Sequence, residues 1–277
     1  MSVYEDYDTT SVNYDNTRLP VGSEIILGYF AKHKKPLGTL EVLDAGCGTG
    51  SYAKAIVHQV GRTSAVDTSL GMLQGARAKL WQEKEAGRIQ FHESSVTDLP
   101  FEDNSFDAAM VNQVVHHLGD TPETEFRHLR RLIGGLSRVL RSGGRLVLNH
   151  CSQEQLRYAY WYYELIPKAR DNFLQRFVSL GVLRGLLAEA GFSDHDTFVP
   201  VDAVCQGKIY FDGRGPLTKT WRDGDSIWAL VDDQELAHAL ELVRAMEAAG
   251  ELEAYVHKHD ARRDKIGQIT LLGATRH

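Results

Sequence analysis

Residues 41–56 read EVLDAGCGTGSYAKAI, with glycines at 46, 48 and 50 between an apolar, strand-like run and a helix-like run. A chain that leaves a strand, crosses three glycines and enters a helix brings bare backbone close to whatever sits at the helix N-terminus. Such a turn belongs to a βαβ unit, so the rest of the chain has to supply a parallel sheet that buries it. Short apolar runs do alternate with helix-patterned stretches. Residues 39–45, 63–67, 88–93, 106–112 and 144–150 read as strands. Helices are predicted near 22–34 and over 124–140, the second stopped by RSGG at 141–144. The pattern defines an α/β fold with a doubly covered sheet.

Beyond residue 150 the alternation loosens. QEQLRYAYWYYELIPKA (153–169) and SLGVLRGLLAEAGF (179–192) read as helices, and DTFVPVDAV (196–204) as a strand. An irregular, glycine- and aromatic-rich block follows over 206–233. Leu236, Leu240, Val243 and Met246 then share one face of an amphipathic helix, and GQITLLGATR (267–276) closes as the last strand.

The 277 residues suit one large domain, and 43% hydrophobic content is enough for a full core. A formal net charge of −6 argues against a grip on nucleic-acid phosphates. The basic run RHLRRL (127–132) reads as a solvated helix face. Three scattered cysteines, Cys47, Cys151 and Cys205, make neither a disulfide framework nor a zinc cluster. Reduced thiols, an acidic polar N-terminus and the lack of an apolar run of membrane-spanning length lead us to expect a cytoplasmic protein with no membrane partner.

Which ligand the glycine turn approaches depends on its acids. A dinucleotide fingerprint, G-x-G-x-x-G/A, fails at Ser51. Asp44, two residues before Gly46, is a poor neighbour for pyrophosphate and a good one for an ammonium or sulfonium. Asp67 ends the second strand, where a carboxylate can accept both hydroxyls of a ribose. Together they favour a cationic nucleoside.

At this point the sequence resembles the class I S-adenosylmethionine-dependent methyltransferases, in the small-molecule branch similar to the ubiquinone/menaquinone (methyltransferase type 11) enzymes. The resemblance covers about residues 14 to 150 and is carried by ordered motifs: VLDAGCGTG, AVDTSLGMLQGAR, SSVTDLPFEDNSFDAAMVNQVVHHL and LRSGGRLVL. It implies a Rossmann-like seven-stranded sheet with an antiparallel last strand and a C-terminal cap. S-adenosylmethionine would be the donor and S-adenosylhomocysteine the product, with no metal. It further implies that Asp44, Gly46, Cys47, Gly48 and Gly50 hold the methionine part and that Asp67 takes the ribose, with Thr68 and Met72 beside the adenosine. Ser95 and Val96 would edge the adenine, Ser95 standing where relatives usually carry an Asp. Asn112 and Gln113 would face the methionine part near the methyl, and Tyr14 and Arg18 would belong to an N-terminal cover. On this reading 1–36 is the cover and first helix, 37–150 the cofactor-binding core, and 151–277 the acceptor side, including an insert at 206–262.

Methyl transfer from a sulfonium is an in-line displacement, and a neutral acceptor needs a base nearby. His117, His116 and His150 fall on the carboxyl rim of the sheet and are the candidates, His117 first. The stretch YAYWYY (158–163) offers an aromatic wall with cation–π character, for which Tyr158 and Trp161, three apart on one helix, are the expected pair. Arg222 in the insert is a candidate partner for an acceptor carboxylate. The small-molecule acceptor and its atom stay open, as does the oligomeric state. Rival readings are a non-catalytic binding or regulatory protein on this fold, a nicotinamide-dinucleotide oxidoreductase, a nucleic-acid methyltransferase and an arsenite methyltransferase. The last lacks its cysteine beside the fourth strand, which here reads VNQVVHH.

Overall fold

The computed structural model describes residues 18–277. Tyr14, expected to cover the cofactor, lies outside the described residues. Seven strands form one sheet: β1 (Glu41–Ala45), β2 (Arg62–Asp67), β3 (Ile89–Glu93), β4 (Phe106–Asn112), β5 (Leu140–His150), β6 (Phe192–Phe198) and β7 (Thr270–Arg276). Their order is β3-β2-β1-β4-β5-β7-β6. Strands β1 to β5 pair in parallel, and β7 runs antiparallel to both of its neighbours, as the resemblance implied. The chain changes direction across the sheet between β1 and β4, and a crevice opens there at the carboxyl ends of the strands.

Alternate residues of each central strand point to opposite faces, and both faces are covered. Val42, Ala108, Met110 and Val147 face a core shared with Ile26, Tyr29 and Phe30 and with the aromatics of the cap. Leu43, Ala109, Val111, Leu146 and Leu148 face the helices Arg127–Val139 and Leu180–Glu189 through Leu132, Leu136, Leu183 and Leu187. Gly273 in β7 makes one close approach possible, because a Cβ there would stand 2.6 Å from the Tyr29 ring. Among the described residues no helix is long and apolar enough to cross a membrane.

Three expectations are corrected. The sixth strand spans Phe192–Phe198 rather than 196–204. Pro200 has no N–H for a ladder, while Gly191, at φ +84°, turns the preceding helix early enough for Phe192 to pair with Arg276. Cys205 therefore lies in the loop beyond β6 and ends no strand. The fifth strand begins at Leu140, four residues early, so RSGG lies inside the strand as an irregularity opposite Phe106 and Ala108. Finally, 153–169 is not one helix. It breaks into a helix Gln153–Tyr158, a 3-10 turn Trp161–Leu165 and a helix Pro167–Leu174. A single helix would turn some of its aromatics outward; the break buries Tyr160, Trp161, Tyr162 and Tyr163 together. Tyr210 fixes the break by accepting the Trp161 backbone N–H on its hydroxyl and the indole N–H on its carbonyl, at 3.3 and 2.7 Å.

Candidate active site

The glycine turn is rigid, and most of its amides are occupied. Gly46 and Cys47 both donate to the Val66 carbonyl, at 2.8 and 2.9 Å, and Gly50 donates to Cys47 at 2.9 Å. Gly48 donates to Asp67 Oδ2 at 2.8 Å. A phosphate-binding turn needs those N–H groups free. This one offers bare backbone instead. Gly46, at φ +82°, sits where a Cβ would come within 2.3 Å of Val114 Cγ2, so the left-handed turn and the close packing both demand glycine.

A chamber of about 100 Å³ opens at the carboxyl ends of β1, β4 and β5. One wall is Asp44 with the turn and with Asn112 at the end of β4. Asp44 is 1% exposed, and neither of its carboxylate oxygens has a hydrogen-bond partner; the two polar atoms of the Asn112 side chain have none either. Burial, with the nearby Asp67 charge, pushes the Asp44 carboxyl up to about 8. A buried carboxyl and a buried amide without partners are a cost the fold bears unless a ligand supplies donors. A cationic group carrying N–H donors fits that wall, and a pyrophosphate does not.

Asp67, Thr68, Met72, Ser95 and Val96 lie outside the chamber lining, on the adjoining rim at the ends of β2 and β3. Asp67 takes Gly48 N–H and Ser69 N–H on separate oxygens, at 2.8 and 2.9 Å, which fixes its carboxylate. The Ser95 hydroxyl is engaged with Thr97 at 2.8 Å.

The opposite wall holds His116, His117, Tyr160, Tyr163, Phe173 and Phe177. Here the histidines part company. His150 is fully buried, bonded to the Val178 carbonyl at 2.8 Å, and outside the chamber, so it is withdrawn as a base. His116 stacks on Phe177 with centroids 4.3 Å apart, and burial followed by its histidine neighbours holds it well below the usual range. His117 lines the chamber, but burial, with Arg18 and Arg176 nearby, brings it down to about 3. It is a neutral imidazole at neutral pH.

The expected aromatic pair is wrong. Tyr158 is 40% exposed beneath the Arg262 guanidinium, and Trp161 is fully buried against Trp221 and Tyr255. Tyr160 and Tyr163, stacked 4.6 Å apart, face the chamber in their place. Arg222 donates to the Pro216 carbonyl at 2.6 Å and does not reach the chamber. The charged pair that does is Arg18 with Asp225, 3.2 Å apart. Tyr162 and Tyr163 both donate to Asp225, at 2.5 and 3.2 Å. Sequence reasoning also missed Tyr52 and Asn149. Asn149 carried a signal, since it falls at the carboxyl end of a central strand; Tyr163 and Asp225 carried none that a linear pattern shows. The thiols are packing groups: burial pushes Cys151 up to about 12, and Cys47 and Cys205 upward too.

The switch-point crevice, the occupied turn and the unpartnered carboxyl define a nucleotide-type α/β fold built for a cationic nucleoside. Residues 43–148 match the family described as methyltransferase domain. A demethylmenaquinone methyltransferase from Clavibacter sepedonicus is 30% identical over 176 residues, which cover 62% of this chain and 67% of that protein. A ubiquinone/menaquinone biosynthesis C-methyltransferase from Geobacter sp. (strain M21) is 27% identical over 214 residues, 68% of this chain and 86% of that one. A solved structure from Anabaena variabilis, described as a methyltransferase of an antibiotic biosynthesis pathway, superposes with a TM-score of 0.70. It covers 92% of this chain and 97% of that one, and at 22% identity the likeness speaks for the fold. The chain belongs to the class I S-adenosylmethionine-dependent methyltransferases. It transfers a methyl group to a small-molecule acceptor.

Proposed function

We propose that the chamber joins a donor wall and an acceptor wall, and that a small, planar, largely apolar acceptor carrying a hydroxyl or amine sits between them. The observation that carries this reading is the buried Asp44 carboxyl with both oxygens unpartnered, facing the aromatic and histidine wall across the chamber. When bound, S-adenosylmethionine supplies an electrophilic methyl on a sulfonium. Asp44 and Asn112 hold the methionine end by charge and hydrogen bonds, and the Gly46–Gly50 backbone lets it lie close. Asp67 holds the ribose from its fixed position, with Thr68, Met72, Ser95 and Val96 around the adenosine. The ring faces of Tyr160, Tyr163, Phe173 and Phe177 exclude water and align the acceptor, and alignment accounts for much of the rate in such a displacement. His117, a neutral imidazole on the same wall, takes up the proton that the X–H group gives up as the methyl arrives. Arg18 and Asp225 close the far end of the chamber.

The division of labour follows the chain: 37–150 serves the cofactor and 151–277 the acceptor. Two relatives named for quinone biosynthesis support a ring-shaped acceptor. No metal takes part in this scheme. Three buried free thiols support a reducing compartment, the cytoplasm.

The test is transfer of labelled methyl from S-adenosylmethionine to a panel of phenols, quinols, aromatic amines, aliphatic amines and carboxylic acids. Labelled products confined to aromatic hydroxyls or amines support the reading. Label found on carboxylates alone would sink it, because the acceptor wall presents apolar ring faces and a neutral imidazole.

A further inference from the structure

Gln113 follows β4 at φ +56°, a left-handed backbone that non-glycine residues adopt at a cost. It lines the chamber beside His116 and His117. The surroundings hold it there. Its N–H donates to the Asn149 carbonyl at 3.0 Å, and its Nε2 donates to Asn149 Oδ1 at 2.8 Å. Asn149 is 1% exposed in β5, opposite Asn112 in the ladder. Its Nδ2 donates to the Tyr52 hydroxyl at 2.7 Å, and Tyr52 donates its own proton to the Val21 carbonyl at 3.0 Å.

The Val21 and Asn149 bonds of Tyr52 give this chain of bonds a direction. Tyr52 has one proton, and it points at Val21, so its oxygen accepts from Asn149. The Asn149 amide thus turns its oxygen to Gln113, and Gln113 must answer with its NH₂. Reversing Asn149 would set NH₂ against NH₂, and reversing Gln113 would set oxygen against oxygen. What remains is Gln113 Oε1, a pure acceptor, which among the described residues takes a long 3.6 Å bond from the Cys151 thiol.

We propose that Gln113 Oε1 accepts the hydrogen of the acceptor's X–H group, and that Asn149 and Tyr52 are positioning residues that aim it. This rests on the methyl-transfer reading of the chamber and narrows its substrate. The acceptor enters as a hydrogen-bond donor, a phenol, quinol or aromatic amine, and a ring lacking a donor is discriminated against. It also moves Gln113 from the cofactor set expected from sequence to the acceptor set. A carbonyl anchored through a relay of uncharged, partly buried groups gives the same orientation at any working pH.

The chamber is of the order of the ~150 Å³ engineered cavity that takes up benzene, so single-ring probes serve. Calorimetry on the whole chain first measures the affinity for S-adenosylhomocysteine. With that ligand saturating, NMR titration then measures the affinities of phenol and toluene. Loss of one neutral hydrogen bond corresponds to roughly 2- to 12-fold. Tyr52→Phe, which keeps the ring, should lower the phenol-to-toluene affinity ratio about 5-fold, and Asn149→Leu about 10-fold, on the same scale. Affinity for S-adenosylhomocysteine should change less than about 2-fold in Tyr52→Phe, within the scatter of an unperturbed site. A purely structural role would lower both probes together and leave the ratio alone. An unchanged ratio in both variants overturns the proposal, as does a fall in S-adenosylhomocysteine affinity as large as the fall in the ratio. Failure of the wild-type chain to bind S-adenosylhomocysteine would instead sink the underlying reading, whatever phenol does.

Discussion

Replacing Asp44 with Asn should make the protein more stable and less able to bind its cofactor. The carboxyl is buried without a partner, and its pKa is raised from 3.8 to about 8. Between those two values the folded chain holds a proton that the unfolded chain has released. Stability contributed at this site therefore falls as pH rises from about 4 to 8. Each pH unit in that window corresponds to about 1.4 kcal/mol. Raising the pH from 4 to 7 thus removes at most about 4 kcal/mol, a sizeable part of the roughly 5–15 kcal/mol that holds a domain together. Asn has nearly the same shape and no charge, so Asp44→Asn should escape this loss. Urea unfolding of both proteins at pH 4, 5.5, 7 and 8.5 reads the difference directly. The variant's advantage should be small at pH 4, grow steadily to about pH 8 and then level off. Binding should behave in the opposite sense. A cationic ligand ionises Asp44, so the wild type should release about one more proton per S-adenosylmethionine at pH 7 than the variant does, as the linkage requires. Calorimetry in buffers of different ionisation enthalpy counts those protons. Affinity should fall about 10- to 100-fold in the variant, the scale of one lost charge-assisted contact. Parallel pH–stability curves for the two proteins would refute the reasoning, because they would mean that Asp44 is ionised at neutral pH in the unliganded fold.

Other outcomes follow from the same geometry. Buried His150, lowered to about 4, contributes stability fully present above about pH 6.5 and lost as pH falls toward 4, up to about 3 kcal/mol; His150→Gln should flatten that acid limb in urea unfolding. Because His117 is lowered to about 3, the pH profile of methyl transfer should show no histidine limb near 6.5, and His117→Ala should reduce turnover while leaving S-adenosylhomocysteine affinity in calorimetry nearly unchanged. Gly134, exposed in the helix Arg127–Val139 with open space where a Cβ would stand, should accept Ala with a gain of about 0.5–1 kcal/mol. Gly46→Ala should instead lose both stability and cofactor binding, since its Cβ meets Val114 at 2.3 Å in a left-handed turn; comparing the two variants by thermal unfolding with and without S-adenosylhomocysteine separates the cases.

The alternation of strand and helix, the glycine turn and the acids at the strand ends are local facts. Backbone geometry ties each of them to its neighbours in sequence, so they could be read before any folding. Asp44 and Asp67 fell where the carboxyl ends of β1 and β2 put them, and the antiparallel β7 followed from the resemblance. The acceptor side was another matter. Whether Tyr158 or Tyr163 faces the chamber depends on a helix break held by Tyr210, some fifty positions away in sequence. Which of three histidines stays reachable depends on Phe177 and on the Val178 carbonyl. Arg18 meets Asp225 only because the insert folds back over the sheet. Burial and partner choice are properties of the packed interior, set by contacts between segments far apart in the chain. Sequence by itself determined the sheet and the kind of cofactor it holds; tertiary packing alone decided which side chains wall the acceptor and in what charge state.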